Sequence, residues 1–182
     1  YYAEKFAPPP GHHEPPTPLP GPLLPERQIE PHTCGYHSLS TIYRAYGITP
    51  DRVNLRLRCG VDMPAVVLKS DTTGTIHPDI VRVLAQDGFD AHILRPSSQD
   101  TLDRARAHMA AGHPIMLLTR TEQVGDQGGG LHWVVVAGEP GSDAANVQVI
   151  DSLADEPYER PAPEYLTQTA LSLILIRPAA HD

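Results

Sequence analysis

Cysteine is scarce in this chain: Cys34 and Cys59 are its only two among 182 residues. A small secreted scaffold stapled by disulfides would carry more, and no Cys or His grouping has the spacing of a zinc site. Basic residues are also in deficit. Lys and Arg number 14 against 22 Asp and Glu, a net charge of -8. The chain therefore lacks the basic stripe that neutralises phosphates, and no nucleic-acid partner is expected. The same deficit argues against a polybasic membrane anchor. No stretch reaches the roughly 18 apolar residues of a spanning helix, so no membrane insertion is expected either.

Proline, by contrast, is abundant, with 20 residues, ten of them in the first 31 positions. Pro8-Pro9-Pro10, Pro15-Pro16 and Thr17-Pro18-Leu19-Pro20-Gly21-Pro22 remove amide donors and fix φ. Residues 1–27 accordingly read as an extended linker or disordered segment ahead of one domain at 28–182.

From Thr33 the pattern turns helical. Leu39, Ile42, Tyr43 and Tyr46 make one apolar stripe, Thr33 is placed to cap it, and Gly47 stops it. A short helix is expected from Pro50 to Cys59, with Cys59 a packing residue at its end. A third helix is expected through Ile80–Leu84 and a fourth through Leu102–Met109. Strands are expected at 89–94, 114–118, 132–138, 146–151 and 171–177. A polar, glycine-rich loop is expected at 121–130 as a border or lid of a cleft. Helices first and strands later give an α+β domain.

Three separated segments carry the chemistry. Gln28 stands six residues before Cys34 in Gln28-Ile29-Glu30-Pro31-His32-Thr33-Cys34-Gly35. His132 opens the apolar run His132-Trp133-Val134-Val135-Val136, and Asp151 closes Val147-Gln148-Val149-Ile150. A thiol attacks a carbonyl as thiolate, a form favoured by a helix N-terminus and by a neighbouring imidazole. His132 can serve as base and then as acid to a leaving amine. Asp151 can accept from the other imidazole nitrogen and fix its tautomer. The Cys34 amide and the Gln28 side-chain NH₂ can bind the oxyanion. Gly35, Gly130 and Trp133 are expected to border the substrate. Taken singly, Gln28 is ordinarily a solvated residue, His132 a structural histidine and Asp151 a turn former; their conjunction in this order is what points to chemistry.

These residues resemble the papain-like cysteine peptidases, and more narrowly the bacteriocin-processing, double-glycine leader peptidases. Gly74-Thr75 before a helix and Gly88-Phe89 into a strand are similar to the middle of such domains, and the likeness spans about 27–178. It implies a papain-like fold, with the catalytic Cys at a helix N-terminus packed against a C-terminal antiparallel sheet. It also implies cofactor-free cleavage of a protein or peptide substrate, often after Gly-Gly, with Cys34 as nucleophile, His132 as base, Asp151 as orienting acid and Gln28 as oxyanion donor. Ser152 follows Asp151 where that family usually has Pro. Stand-alone relatives include secreted peptidases and toxin domains of bacterial delivery systems. A first residue that is Tyr rather than Met, with a Pro-rich front, suits a toxin domain cut from a larger bacterial effector, secreted or delivered, with a cognate inhibitor or immunity protein as a further partner.

Two other functions fit the same residues: acyl transfer or amidase chemistry on the same nucleophile, and a non-catalytic binding module that kept the fold. A metalloenzyme finds no support in the histidine spacing. His32, His108 and His113 read as surface or structural residues, and His37 is the one rival base.

Overall fold

The computed structural model describes residues 19, 21–30, 32–61, 74–96, 99–124, 127–138 and 145–180. Residues 1–18 and 20 of the linker expected at 1–27 lie outside them. Helix α1 spans Cys34–Ala45, α2 Arg52–Arg58, α3 His77–Gln86 and α4 Gln99–Ala110. The strands are β1 Phe89–Leu94, β2 Ile115–Val124, β3 Gln127–Ala137, β4 Asn146–Ile150, β5 Tyr158–Pro161 and β6 Ser172–Pro178, of which β5 was not expected. One helical turn at Ala162–Glu164, continued by a wider turn at Tyr165–Thr169, joins β5 to β6.

The stripe read from α1 is buried as a whole: Leu39, Ile42, Tyr43 and Tyr46 all face the core. Gly47 ends the helix at φ 76°, a backbone angle that costs glycine nothing. Asp51 caps α2, its carboxylate accepting from the amides of Val53 and Asn54 at 3.0 Å each. A buried cluster then ties α1, α2 and α3 together. Arg58 donates to Asp87 at 2.7 Å and to the Val83 carbonyl at 3.2 Å, while the Tyr43 hydroxyl donates to the same Asp87 at 2.6 Å.

The strands form one antiparallel sheet in the order β1-β6-β2-β3-β4-β5. Its two faces bury different layers, as the period of two along each strand requires. Met116, Leu118, Trp133, Val135, Ile150, Ile174 and Ile176 pack with α1, α2 and α3. Ile115, Leu117, Val134, Val136, Val149, Leu173 and Leu175 pack with α4 and the Ala162–Thr169 turn. The architecture is thus α+β and papain-like, with the sheet covered on both faces. No helix among the described residues is long and apolar enough to cross a membrane.

Two expectations are corrected. Residues 121–124 and 127–130 are strand and not loop: β2 and β3 extend through them as a paired arm, joined through Thr121↔Gly130, Gln123↔Gly128 and Val124↔Gln127. Backbone pairing needs no side-chain signal, so a polar, glycine-rich stretch extends a ladder begun by apolar residues. Residues 21–27, read as part of a linker, instead pack along α1. Leu23 is buried, the Gly21 amide donates to the Ala45 carbonyl at 3.1 Å, and the Thr41 hydroxyl donates to the Leu24 carbonyl at 3.4 Å. Glu26 accepts from Ser40 at 2.6 Å and faces Arg44 and Arg52.

Candidate active site

Cys34 is the first residue of α1 and is buried, so its sulfur lies at the positive end of the helix dipole. Thr33 precedes the helix, but its hydroxyl does not cap it. That hydroxyl donates to the Glu30 carbonyl at 2.8 Å, drawing the approach segment tight against the helix start. The Ser38 hydroxyl donates to the Trp133 carbonyl at 3.2 Å, fastening α1 to β3 one residue beyond His132. Both cysteines are free thiols, and burial pushes Cys59 up to about 12, which removes it as a rival nucleophile.

His132, almost wholly buried, places Nε2 2.7 Å from Asp151 Oδ1. Asp151 follows the last residue of β4, and the pairing of Val135 with Ile150 brings that strand end alongside His132. The carboxylate also accepts from the Leu153 amide at 2.8 Å and the Tyr158 hydroxyl at 3.2 Å. With Nε2 taken, Nδ1 is the nitrogen left for Cys34. It is buried with no partner of hydrogen-bond geometry, while the thiol nonetheless acts on the ring as a bonding and charge partner. The ring thus feels Cys34 without a hydrogen bond made at Nδ1. Burial by itself lowers the ring's proton affinity, but Asp151 and Cys34 together overcome it and raise His132 to about 9. For Asp151, burial works upward and is outweighed by the bonds from His132, Leu153 and Tyr158, which hold the carboxyl below its ordinary range.

Gln28 is buried beside the turn that follows Asp151. Its backbone amide donates to the Ser152 carbonyl at 2.9 Å, its Oε1 accepts from the Ser152 hydroxyl at 2.6 Å, and its Nε2 donates to the Glu30 carbonyl at 3.3 Å. Glu30 O thereby links Gln28 to Thr33, one residue ahead of Cys34. Gln28, Cys34, His132 and Asp151, spread over more than a hundred positions, meet at the N-terminal end of α1 and the adjacent edge of β3 and β4.

The expected substrate-binding residues fare differently. A Cβ on Gly35 would meet Thr75 Cβ at 2.6 Å and Trp133 Cδ1 at 3.2 Å, so packing fills the space reserved for a substrate backbone. Trp133 is buried in the core and donates from Nε1 to the Thr75 carbonyl at 3.0 Å. Both residues pack at the helix start against β3, where a large indole between two layers gains from burial. Gly130 is exposed, with open space where its Cβ would be. His37 turns to Glu26, with Nδ1 3.8 Å from that carboxylate, and burial lowers its proton affinity. Ser152 and Tyr158 went unread in the sequence. The dipeptide Asp151-Ser152 signalled only a turn, and nothing marked a tyrosine seven residues on as a carboxylate partner.

The fold these elements make is the papain-like one. It is similar to the peptidase domain of Streptococcus ComA, a bifunctional ABC transporter involved in a quorum-sensing pathway. The TM-score is 0.61 at 18% identity, over 86% of this chain and 99% of that one. It is also similar to a double glycine motif protease from an AMS/PCAT transporter in complex with its leader peptide, with TM-score 0.57 at 16% identity, covering 89% of this chain and 97% of that one. These are domains of the kind that the sequence motifs resemble. No family sequence model matches the chain, and no curated protein matches it by sequence.

Proposed function

We propose that this chain is a cysteine peptidase that cleaves peptide bonds after small residues such as Gly-Gly. The observation that carries the reading is the buried His132, with Nε2 held by Asp151 at 2.7 Å and Nδ1 left for Cys34. The Cys34 sulfur attacks the carbonyl carbon, with its proton held on His132. The resulting oxyanion is met by the Cys34 amide, which has no intrahelical partner at this position, and by the Gln28 NH₂. His132 gives its proton to the leaving amine, the C–N bond breaks and a thioester remains. Water then attacks the thioester, losing its proton to His132, and the C–S bond breaks to release the acid and restore the Cys34 thiolate beside protonated His132. Asp151 keeps Nε2 protonated and the ring in place throughout.

An extended peptide has a strand edge to lie on. Among the described residues, β4 pairs only with Val135–Ala137 of β3, so the part of β3 leading to His132 has no strand on that side. The preference for Gly-Gly is supported by the similarity to a double glycine motif protease. The role of a toxin domain delivered from a larger bacterial protein, with an inhibitor covering the cleft, rests on the sequence resemblance alone.

The test is digestion of a peptide panel centred on Gly-Gly, with products read by mass spectrometry for the wild type and Cys34→Ala. Two fragments from the wild type and none from the variant are expected. A mass gain on an added amine would move the reading to acyl transfer, and equal products from both proteins would end it.

A further inference from the structure

The turn after β4 touches both halves of the site. Asp151 holds His132, and the next residue, Ser152, holds Gln28 twice: its carbonyl accepts from the Gln28 amide at 2.9 Å and its hydroxyl donates to Gln28 Oε1 at 2.6 Å. From this geometry we infer that Ser152 is a positioning residue for the oxyanion donor, anchoring Oε1 of the Gln28 amide while the Glu30 carbonyl fixes which end is the NH₂.

A side-chain amide carries an acceptor and a double donor of nearly the same shape, and only the NH₂ end can meet a developing negative charge. A flipped amide would present Oε1 and repel it. The orientation here is fixed by the partners' chemistry. The Glu30 carbonyl 3.3 Å away can only accept, so the atom facing it is Nε2, and the atom facing Ser152 must be Oε1. Ser152 and Gln28 are both buried, where losing the hydroxyl removes a buried bond to Oε1 and loosens the hold on the amide. A proline at 152 would offer no hydroxyl. The serine is thus this chain's own device, and it couples the oxyanion donor to the turn that orients the base.

The inference rests on the peptidase reading and is tested beside it. Steady-state cleavage of a Gly-Gly peptide is measured for the wild type, Ser152→Ala, Ser152→Thr, Gln28→Ala and the double variant Gln28→Ala/Ser152→Ala, with thermal midpoints recorded in parallel. Ser152→Ala should lower kcat about tenfold with little change in KM, a fraction of the roughly 100-fold or greater loss from deleting an oxyanion donor outright. Ser152→Thr, which keeps the hydroxyl, should restore most of it. In the Gln28→Ala background, removing Ser152 should cost nothing more. An unchanged kcat in Ser152→Ala, or a loss that persists undiminished without Gln28, overturns the inference and leaves the peptidase reading intact. A wild type that cuts no peptide overturns both.

Discussion

At the scale of single residues, His132 sets the working pH range. Its ring is raised to about 9 by Asp151 and Cys34 against the opposing effect of burial, so it keeps its proton through neutrality. The chemistry uses that proton on the leaving amine, and kcat/KM should therefore fall as pH rises through about 9. Asp151→Asn removes the charge that raises the ring, so this alkaline limb should move to lower pH and narrow the active range. A limb that stays put would separate Asp151 from the base. Stability follows the same sign: a raised imidazole stabilises the fold fully below its ordinary value of 6.5, and that contribution is lost as pH climbs through about 9. The apparent values belong to the Cys34–His132–Asp151 group as a unit.

The candidate residues were legible because each belongs to a short signature: a glutamine at fixed distance from Cys-Gly, a histidine opening a valine run, a carboxylate closing a strand. Ser152 and Tyr158 were not. Their roles exist only once a turn brings position 152 against position 28 and folds position 158 back onto 151, and no local pattern encodes such meetings. The packing of Gly35 against Trp133 was hidden for the opposite reason. A glycine beside a thiol leaves either room for substrate or room for a neighbour, and only packing shows that Thr75 and Trp133 occupy it.

Among elements, the junction of α1 with β3 is the tightest point near the site. A methyl on Gly35 would lie 2.6 Å from Thr75 Cβ, inside any tolerated contact, so Gly35→Ala must push the helix start away from the sheet. Overpacking of this kind costs about 1–3 kcal/mol. Thermal unfolding should show that loss, and peptide cleavage should fall with it as Cys34 is displaced from His132. Combining the change with Thr75→Gly, which vacates the contested space, should make the added cost of Gly35→Ala smaller than in the wild-type background; strict additivity would place the strain elsewhere. Helix α1 and strand β6 were predictable because their apolar residues are the buried ones. The β2–β3 arm and β5 were not. The arm is polar and glycine-rich, and β5 is Tyr-Glu-Arg-Pro, largely exposed and held by pairing with β4.

For the molecule as a whole, the two sheet faces respond to acid through different groups. His108 lies on the α4 side, its Nε2 2.9 Å from the Ile176 carbonyl oxygen and 3.1 Å from the Ile176 amide. Burial lowers it to about 4. It is neutral in the fold but takes up a proton on unfolding below about 6.5, so stability should decline between pH 6.5 and about 4. Urea midpoints measured across that interval should slope downward with acid in the wild type, and His108→Gln should flatten the slope. A slope unchanged by the substitution would assign the acid sensitivity to other groups.

The stretch from Gly21 to Glu30 runs the length of α1 before the chain turns into it, fastened at Ala45, Thr41, Ser40 and finally Ser152. Anyone grafting this module onto a different carrier must therefore place the junction ahead of Gly21. A seam made just before the nucleophile would keep the thiol and the imidazole yet discard the arm that delivers the third participant.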